Sequence, residues 1–492
     1  MTYSRLGFHI SSSNIRGPIL IPKYYNPEVE AQTEACRANS DLVSLGALID
    51  EGHAEVATGD EIGKMAYGTG TIPFVRTSDI VNWEIKADPK QGVSRAIYDR
   101  YSVKQDVRDG DLLLVRDGTY LIGSACLVTS SDSELLYQSH VLKLRVKASS
   151  PVSAPLLLAL LYSPSVIRQI RAKQFTADII DTLGDRYREL KLPVPNDIKL
   201  RRDIESRVRR IVLKRAELRE QIRRIPLWLQ GVMPDIGGSL PDTADNMSEL
   251  TGNTGFMAKT STIRNNIFIP RYYNPTIEEE LRDLASTHDL LSVDELHSQG
   301  TLSFATGIEV GKMAYGLGDV PFVRTSDISN WELKLDPKQS ISRELYEQCK
   351  SAMDVRANDI LLVRDGTYLV GTSCILTERD LRLIYCGGFY KIRVLQEKVL
   401  DPYLLLAALN CPIVRKQMRA KQFTRDVIDT LGKRIHEVVL PLPKDKSLCR
   451  KIANLTRSTV EQRAELRDEA KQIALGLGAP FPDEDNEILA GI

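Results

Sequence analysis

The stretch Pro73-Phe74-Val75-Arg76-Thr77-Ser78-Asp79-Ile80 occurs twice, returning as Pro321-Phe322-Val323-Arg324-Thr325-Ser326-Asp327-Ile328. Asn82-Trp83-Glu84 follows the first copy and Asn330-Trp331-Glu332 the second. Leu114-Val115-Arg116-Asp117-Gly118-Thr119-Tyr120 is likewise matched by Leu362-Val363-Arg364-Asp365-Gly366-Thr367-Tyr368. The offset is constant: 321 minus 73 and 368 minus 120 both give 248. It already holds at Ile21-Pro22-Lys23-Tyr24-Tyr25-Asn26-Pro27 (Ile269 to Pro275) and still holds at Arg215-Ala216-Glu217-Leu218-Arg219 (Arg463 to Arg467). A register kept with no net insertion or deletion marks duplication of a whole domain, since solenoid repeats have periods of only about 20–50 residues.

Each copy changes texture along its length. Short apolar runs bounded by Gly, Asp and Ser read as strands: Thr71 to Val75, Asp111 to Val115, Cys126 to Val128 and Val141 to Val146. Pro155 to Gln174 has helical periodicity, and Asp178-Ile-Ile-Asp-Thr-Leu-Gly184 reads as a further helical turn closed by its glycine. Leu190 to Pro195 reads as a last strand. A long charged helix follows, roughly Lys199 to Gln230. Its residues Ile204, Val208, Ile211, Arg215, Leu218, Ile222, Ile225 and Leu229 alternate in steps of four and three, a coiled-coil seam. The second copy repeats it as Ile452, Thr456, Thr459, Arg463, Leu466, Ala470, Ile473 and Leu477. Such a helix is about 45 Å long. An arginine on a seam is costly unless paired, so Arg215 and Arg463 are expected to meet acids or to set register.

The expected organisation is α+β. Residues 1–196 form a first mixed domain, 197–230 a long helix and 231–256 a Gly-, Pro- and Asp-rich linker. Residues 257–444 form the second domain, 445–478 its helix and 479–492 a tail. The two helices are expected to pair as an antiparallel coiled coil, relating the domains by a pseudo-twofold axis.

Composition excludes several classes. With 492 residues, more than one core is expected. Equal numbers of basic and acidic residues, 65 each, argue against a uniformly basic coat but leave room for local basic surface. The longest apolar runs are too short to span a bilayer, and the N-terminus lacks a signal pattern, so a cytoplasmic protein is expected. Seven cysteines without a Cys-x-x-Cys pair carry neither a disulfide nor a zinc signature.

Catalytic motifs are missing. Gly59-Asp-Glu-Ile-Gly63-Lys64-Met65 and Gly307-Ile-Glu-Val-Gly311-Lys312-Met313 resemble a phosphate loop. However, the glycines stand one residue too close, and methionine replaces the magnesium-binding Ser/Thr. Tyr25-Asn26-Pro27 and Tyr273-Asn274-Pro275 lack the second proline and the stacking aromatic of an amino-methyltransferase motif and read as turns. The six histidines have no partners at metal-ligand spacing, and no Gly-x-Ser-x-Gly elbow occurs.

What remains is a polar, aromatic signature suited to nucleic acid. Arginine reads guanine edges and asparagine adenine, while hydroxyls and lysines hold phosphate. The first candidate set is Lys64, Tyr67, Arg76, Thr77, Ser78, Asn82, Arg116, Thr119, Tyr120 and Lys173. The second is Lys312, Tyr315, Arg324, Thr325, Ser326, Asn330, Arg364, Thr367, Tyr368 and Lys421. Competing structural roles stand beside this one: Asp79 as a turn cap, Trp83 as core, and Arg116 with Asp117 as an internal ion pair. Base choice is expected where the copies diverge, at Val81/Ser329, Thr69–Thr71/Leu317–Asp319 and Gln138–His140/Cys386–Gly388.

Three features resemble the specificity subunits of type I restriction-modification systems. They are the strand ending Pro-Phe-Val-Arg-Thr-Ser-Asp-Ile, the run Asp111-Leu-Leu-Leu-Val-Arg-Asp-Gly-Thr (Asp359-Ile-Leu-Leu-Val-Arg-Asp-Gly-Thr), and the ending Ile-Asp-Thr-Leu-Gly, Leu-Pro-Val-Pro, long helix. The order domain–helix–domain–helix carries the resemblance over nearly the whole chain. It departs from the family where Pro195 and Pro443 are not followed by a Glu-Gln pair. The resemblance implies a DNA reader without catalysis or cofactor of its own. Two target-recognition domains would each read half of a bipartite site, and the paired helices would serve as a ruler. Partners would be methyltransferase subunits, two of them, carrying S-adenosylmethionine, and ATP- and magnesium-dependent restriction/translocase subunits. Because the copies are so alike, the half-sites are expected to be nearly identical and inverted. The alternatives are a DNA-binding adaptor of another phage-defence complex without methylation, and a single-chain nuclease.

Overall fold

The computed structural model describes residues 8–478, except 18, 119–120, 133, 178–179, 238–255, 258–259, 265–266, 338, 367 and 426–427. Most of the expected linker and all of the expected tail lie outside the described residues. The chain divides into two units. Among the described residues, the first runs through Ala216 and takes in 466–478; the second is Glu217–Glu465.

The first unit is built on a four-stranded antiparallel sheet in the order Ala54–Thr58, Val141–Val146, Leu112–Val115, Ala125–Leu127. All four residues of Leu112–Val115 are buried, as expected for a strand covered on both faces. A smaller sheet has Ile72–Val75 at its centre, antiparallel to Gly92–Val93 and parallel to Leu136–Tyr137. Gly59 leads into this sheet where a Cβ would stand 2.2 Å from the carbonyl oxygen of Tyr137, so only glycine fits. Gly307 meets Tyr385 at the same distance. The first glycine of the phosphate-loop-like pattern is thus a packing requirement.

The expected helix from Pro155 to Gln174 is two, Ala154–Leu161 and Pro164–Lys173. Ser153 caps the first through its hydroxyl, with Pro155 in the opening turn, and residues 155–161 are all buried. A second proline at 164 opens the next helix. The expected turn of helix at 178–184 is corrected. Ile180–Thr182 is a strand paired with Phe175–Ala177, and Gly184, at φ 52°, opens a 3₁₀ segment, Gly184–Glu189. The segment is drawn into a hairpin because its edge meets the loop after Val115: Gly118 N–H donates to Asp181 O at 2.9 Å. Lys191–Pro195 pairs with Ser40–Ser44 and hands over to the long helix Ile198–Leu229.

The second unit has the same sheet orders: Leu302–Thr306, Phe389–Val394, Ile360–Val363, Ser373–Ile375, and Ser340–Ile341, Val320–Val323, Ile384–Tyr385. The counterpart long helix is Lys446–Leu475, of which the part up to Glu465 belongs to this unit. All eight seam positions named in each copy are buried, the arginines included.

In both units a helix is clamped to the sheet by charge. Helix Arg95–Gln105 ends at Asp106, in the left-handed region at φ 41°. Arg145 donates to the carboxylates of Asp106 (2.7 Å) and Asp111 (2.8 Å). Lys143 donates to the carbonyl oxygens of Gln105 and Asp106. Arg393, Asp354, Asp359 and Lys391 repeat the cluster after helix Arg343–Met353.

Candidate nucleic-acid interface

The opening signature folds into two tight devices. The first is a 3₁₀ turn, Thr77–Asp79, closed by Asp79: its carboxylate accepts from the backbone N–H of Arg76 at 2.9 Å. Asp79 is buried, and burial pushes its carboxyl up from the ordinary value against the pull of Lys86 and the backbone N–H of Arg76. The second is a hairpin, Ile80–Val81 with Glu84–Ile85. Its two-residue loop is Asn82-Trp83, both at positive φ, 51° and 68°. That is the geometry whose twist matches antiparallel strands, with asparagine at its preferred place and tryptophan in a strained one. Trp83 is held there by burial, 1% exposed, with its ring 5.8 Å from that of Tyr162. Asn330 and Trp331 repeat the turn at 50° and 66°. Asp79 and Trp83 therefore take structural roles, and Asn82 is buried at 7% exposure.

Glu84 does more than close the hairpin. Its Oε1 accepts from Arg215 Nη2 of the long helix at 3.1 Å, with the two side chains 5% and 1% exposed. Glu332 and Arg463 form the same pair at 2.9 Å. The seam arginines thus have acid partners in the globular part of their own unit.

A half-exposed polar rim lies at the ends of the central strands. After Val75 stands Arg76, with its guanidinium 5.8 Å from the Tyr67 ring centroid and its Nε reaching Gln138 Oε1 at 3.5 Å. Tyr67 in turn lies on Phe74. Gln138 follows the neighbouring strand and donates its backbone N–H to Val75 O. Ser139 donates its hydroxyl to Glu61, and its carbonyl oxygen accepts from Arg116 Nη2 (3.2 Å). Arg116 also holds Asp117 at 2.8 Å, so its charge is committed internally. Burial disfavours ionisation of Asp117, yet hydrogen bonds from Arg116, Thr182 and His140 outweigh it and lower its pKa. Thr77 faces Gly118, and Ser78 stands half-buried beside it. Lys64 is exposed.

In the second unit Lys312 and Ser326 are exposed, and Tyr315, Arg324, Thr325 and Asn330 are half-buried. Arg364 pairs with Asp365 at 2.7 Å and lies over the Tyr390 ring. Tyr368 is 72% exposed. Where the first unit has Gln138-Ser139-His140, the second has Cys386-Gly387-Gly388, and its rim loses three polar side chains. Thr119, Tyr120 and Thr367 lie outside the described residues.

Lys173 and Lys421 are set apart from this rim. Lys173 donates to Glu189 at 2.9 Å and covers the Tyr24 ring at 4.6 Å. Lys421 reaches Glu437 at 3.3 Å over Tyr272. Burial and the neighbouring glutamates push both tyrosines up to about 12. Lys90, which the sequence reading does not single out, lies near enough to Arg76 to feel its charge. Partial desolvation and the Arg76 charge draw its ammonium down to about 8. No local pattern marks it, because it reaches the rim only through the fold.

No family model matches the chain, and no curated protein matches it. Among solved structures, the chain aligns with a type I restriction-modification system S subunit from M. genitalium. Identity is 11% over 90% of this chain and 97% of that one, with a TM-score of 0.34. It also aligns with the HsdS subunit from Thermoanaerobacter tengcongensis, at 16% identity over 92% and 97%, with a TM-score of 0.26. A structure described for complex assembly and conformational transition of the type I R-M system aligns at 15% identity over 91% and 97%, also with a TM-score of 0.26.

Proposed function

We propose that the chain is the DNA-recognition subunit of a type I restriction-modification complex. Each unit would read one half of a bipartite site, and the long helices would hold the two readings at a set separation. One observation carries this reading: both units present an equivalent polar rim on a domain keyed to a long helix by a buried Glu–Arg pair. An antiparallel pairing of the helices is supported inside each unit. Arg207 and Arg210 both meet Glu469 in the first, and Thr459 Oγ1 donates to Gln221 in the second. Helix partners so joined are suited to dock methyltransferase subunits, two of them by the internal symmetry, and restriction/translocase subunits. S-adenosylmethionine and ATP with magnesium would belong to those partners. The half-sites would be inverted and alike, except at bases facing Gln138–His140 and Cys386–Gly388.

The full chain is to be expressed with adenine methyltransferase subunits and the host DNA read by base-modification sequencing. A two-part methylated motif is expected, and the purified chain alone should neither methylate nor cleave. Methylation without sequence preference would sink the reading.

A further inference from the structure

The turn rejected as a phosphate loop is built to present its methionine. Lys64–Ala66 is a 3₁₀ turn in which Ala66 N–H donates to Gly63 O and Tyr67 N–H to Lys64 O, both at 3.2 Å. Thr69 Oγ1 donates to Ala66 O at 2.8 Å, and Gly68 N–H to Gly92 O at 2.9 Å. In the second unit Ala314 donates to Gly311, Tyr315 to Lys312 and Gly316 to Ser340. On each braced turn the tip side chain stands in solvent: Met65 is 93% exposed and Met313 89%.

A single exposed apolar residue needs no explanation. Here the same unbranched side chain stands on the same rigid tip in both units, where packing requires nothing of it. Lys64 and Lys312 share the turns and are exposed, and the Tyr67–Arg76 pair stands behind the first. The acids nearby are already engaged, Asp60 by Lys104 and Gln105 and Glu61 by Ser139. A cation beside an apolar tip matches a duplex, whose phosphates take the charge while its bases take the apolar wedge.

We propose that Met65 and Met313 are specificity-determining contacts, apolar wedges that enter a DNA groove and press against the bases of each half-site. The inference rests on the DNA-recognition reading. Its test uses the full chain in complex with its methyltransferase subunits. A preferred duplex is first selected from a randomised library, and affinity for it and for a scrambled duplex is then followed against salt. The joint variant Met65→Gln, Met313→Gln should lose about tenfold or more on the preferred duplex, keep its affinity for the scrambled one and keep its salt slope. Met65→Leu with Met313→Leu should retain preference. Lys64→Ala with Lys312→Ala should instead weaken both duplexes and flatten the slope. Wild-type affinity and preference in the Gln variant, or an equal loss on both duplexes, would overturn the wedge. If the complex of the unaltered chain selects no preferred duplex, the DNA-recognition reading itself fails, and the wedge with it.

Discussion

Arg215 shows how a residue out of place for its element becomes intelligible in three dimensions. A charge at a buried seam position is tolerated only with a partner, and its partner, Glu84, lies 131 residues away in the Asn-Trp-Glu hairpin. Arg463 and Glu332 are separated by the same 131 residues. Removing one member takes an opposite charge 3.1 Å away from a buried group, whereas replacing both with apolar groups removes the desolvation cost as well. Glu84→Leu or Arg215→Met alone should therefore cost about 3–5 kcal/mol, and the two together should recover most of it. Denaturant unfolding of the four members of this cycle measures the coupling. A single-variant cost under about 1 kcal/mol would show that the pair is not desolvated as the geometry implies. That an arginine on the seam requires an acid was legible in the sequence; which acid was not, because the contact is long-range.

At the scale of elements, the end of helix Arg95–Gln105 and its twin are held by carboxylates that favour ionisation. Hydrogen bonds from Arg108 and Arg145 bring Asp106 down to about 2, and Arg393 and Arg356 bring Asp354 down to about 2, from an ordinary 3.8. A depressed folded-state pKa gives stability that is present above the unfolded value and lost as pH falls through the folded one. Melting temperature should therefore drop between about pH 4 and pH 2, and Asp106→Asn with Asp354→Asn should flatten that part of the profile. An unchanged acid limb would show that these carboxylates do not couple to unfolding. Strands and helices with strong apolar patterns were legible element by element. The hairpin Phe175–Ala177/Ile180–Thr182 was not: Ile-Ile-Asp-Thr-Leu suits a helical turn locally, and only the edge offered by Gly118 and Asp117 selects the strand.

For the molecule as a whole, the two rims share their scaffold and differ in a few side chains. Arg76 reaches Gln138 in the first unit, where the second has Cys386. Converting Gln138-Ser139-His140 to Cys-Gly-Gly should change the bases preferred at one half of the selected site and leave the other half alone. Library selection with the full chain reads this directly; a shift in both halves, or in neither, would separate the rim from base choice.

The sequence by itself determined the repeated stretches, the mixed α+β class and the two long helices. These rest on periodicity and on a constant offset, both local or self-referential properties of the chain. Only the tertiary structure decided what the signature residues do. It put Asp79 and Trp83 into turn and core, committed Arg116 to Asp117 and Lys173 to Glu189, and left Arg76 half-buried and Lys64 exposed. Side-chain type states what a residue can bind. Whether that capacity faces solvent or is already satisfied inside depends on partners brought from elsewhere in the chain, and so on the fold.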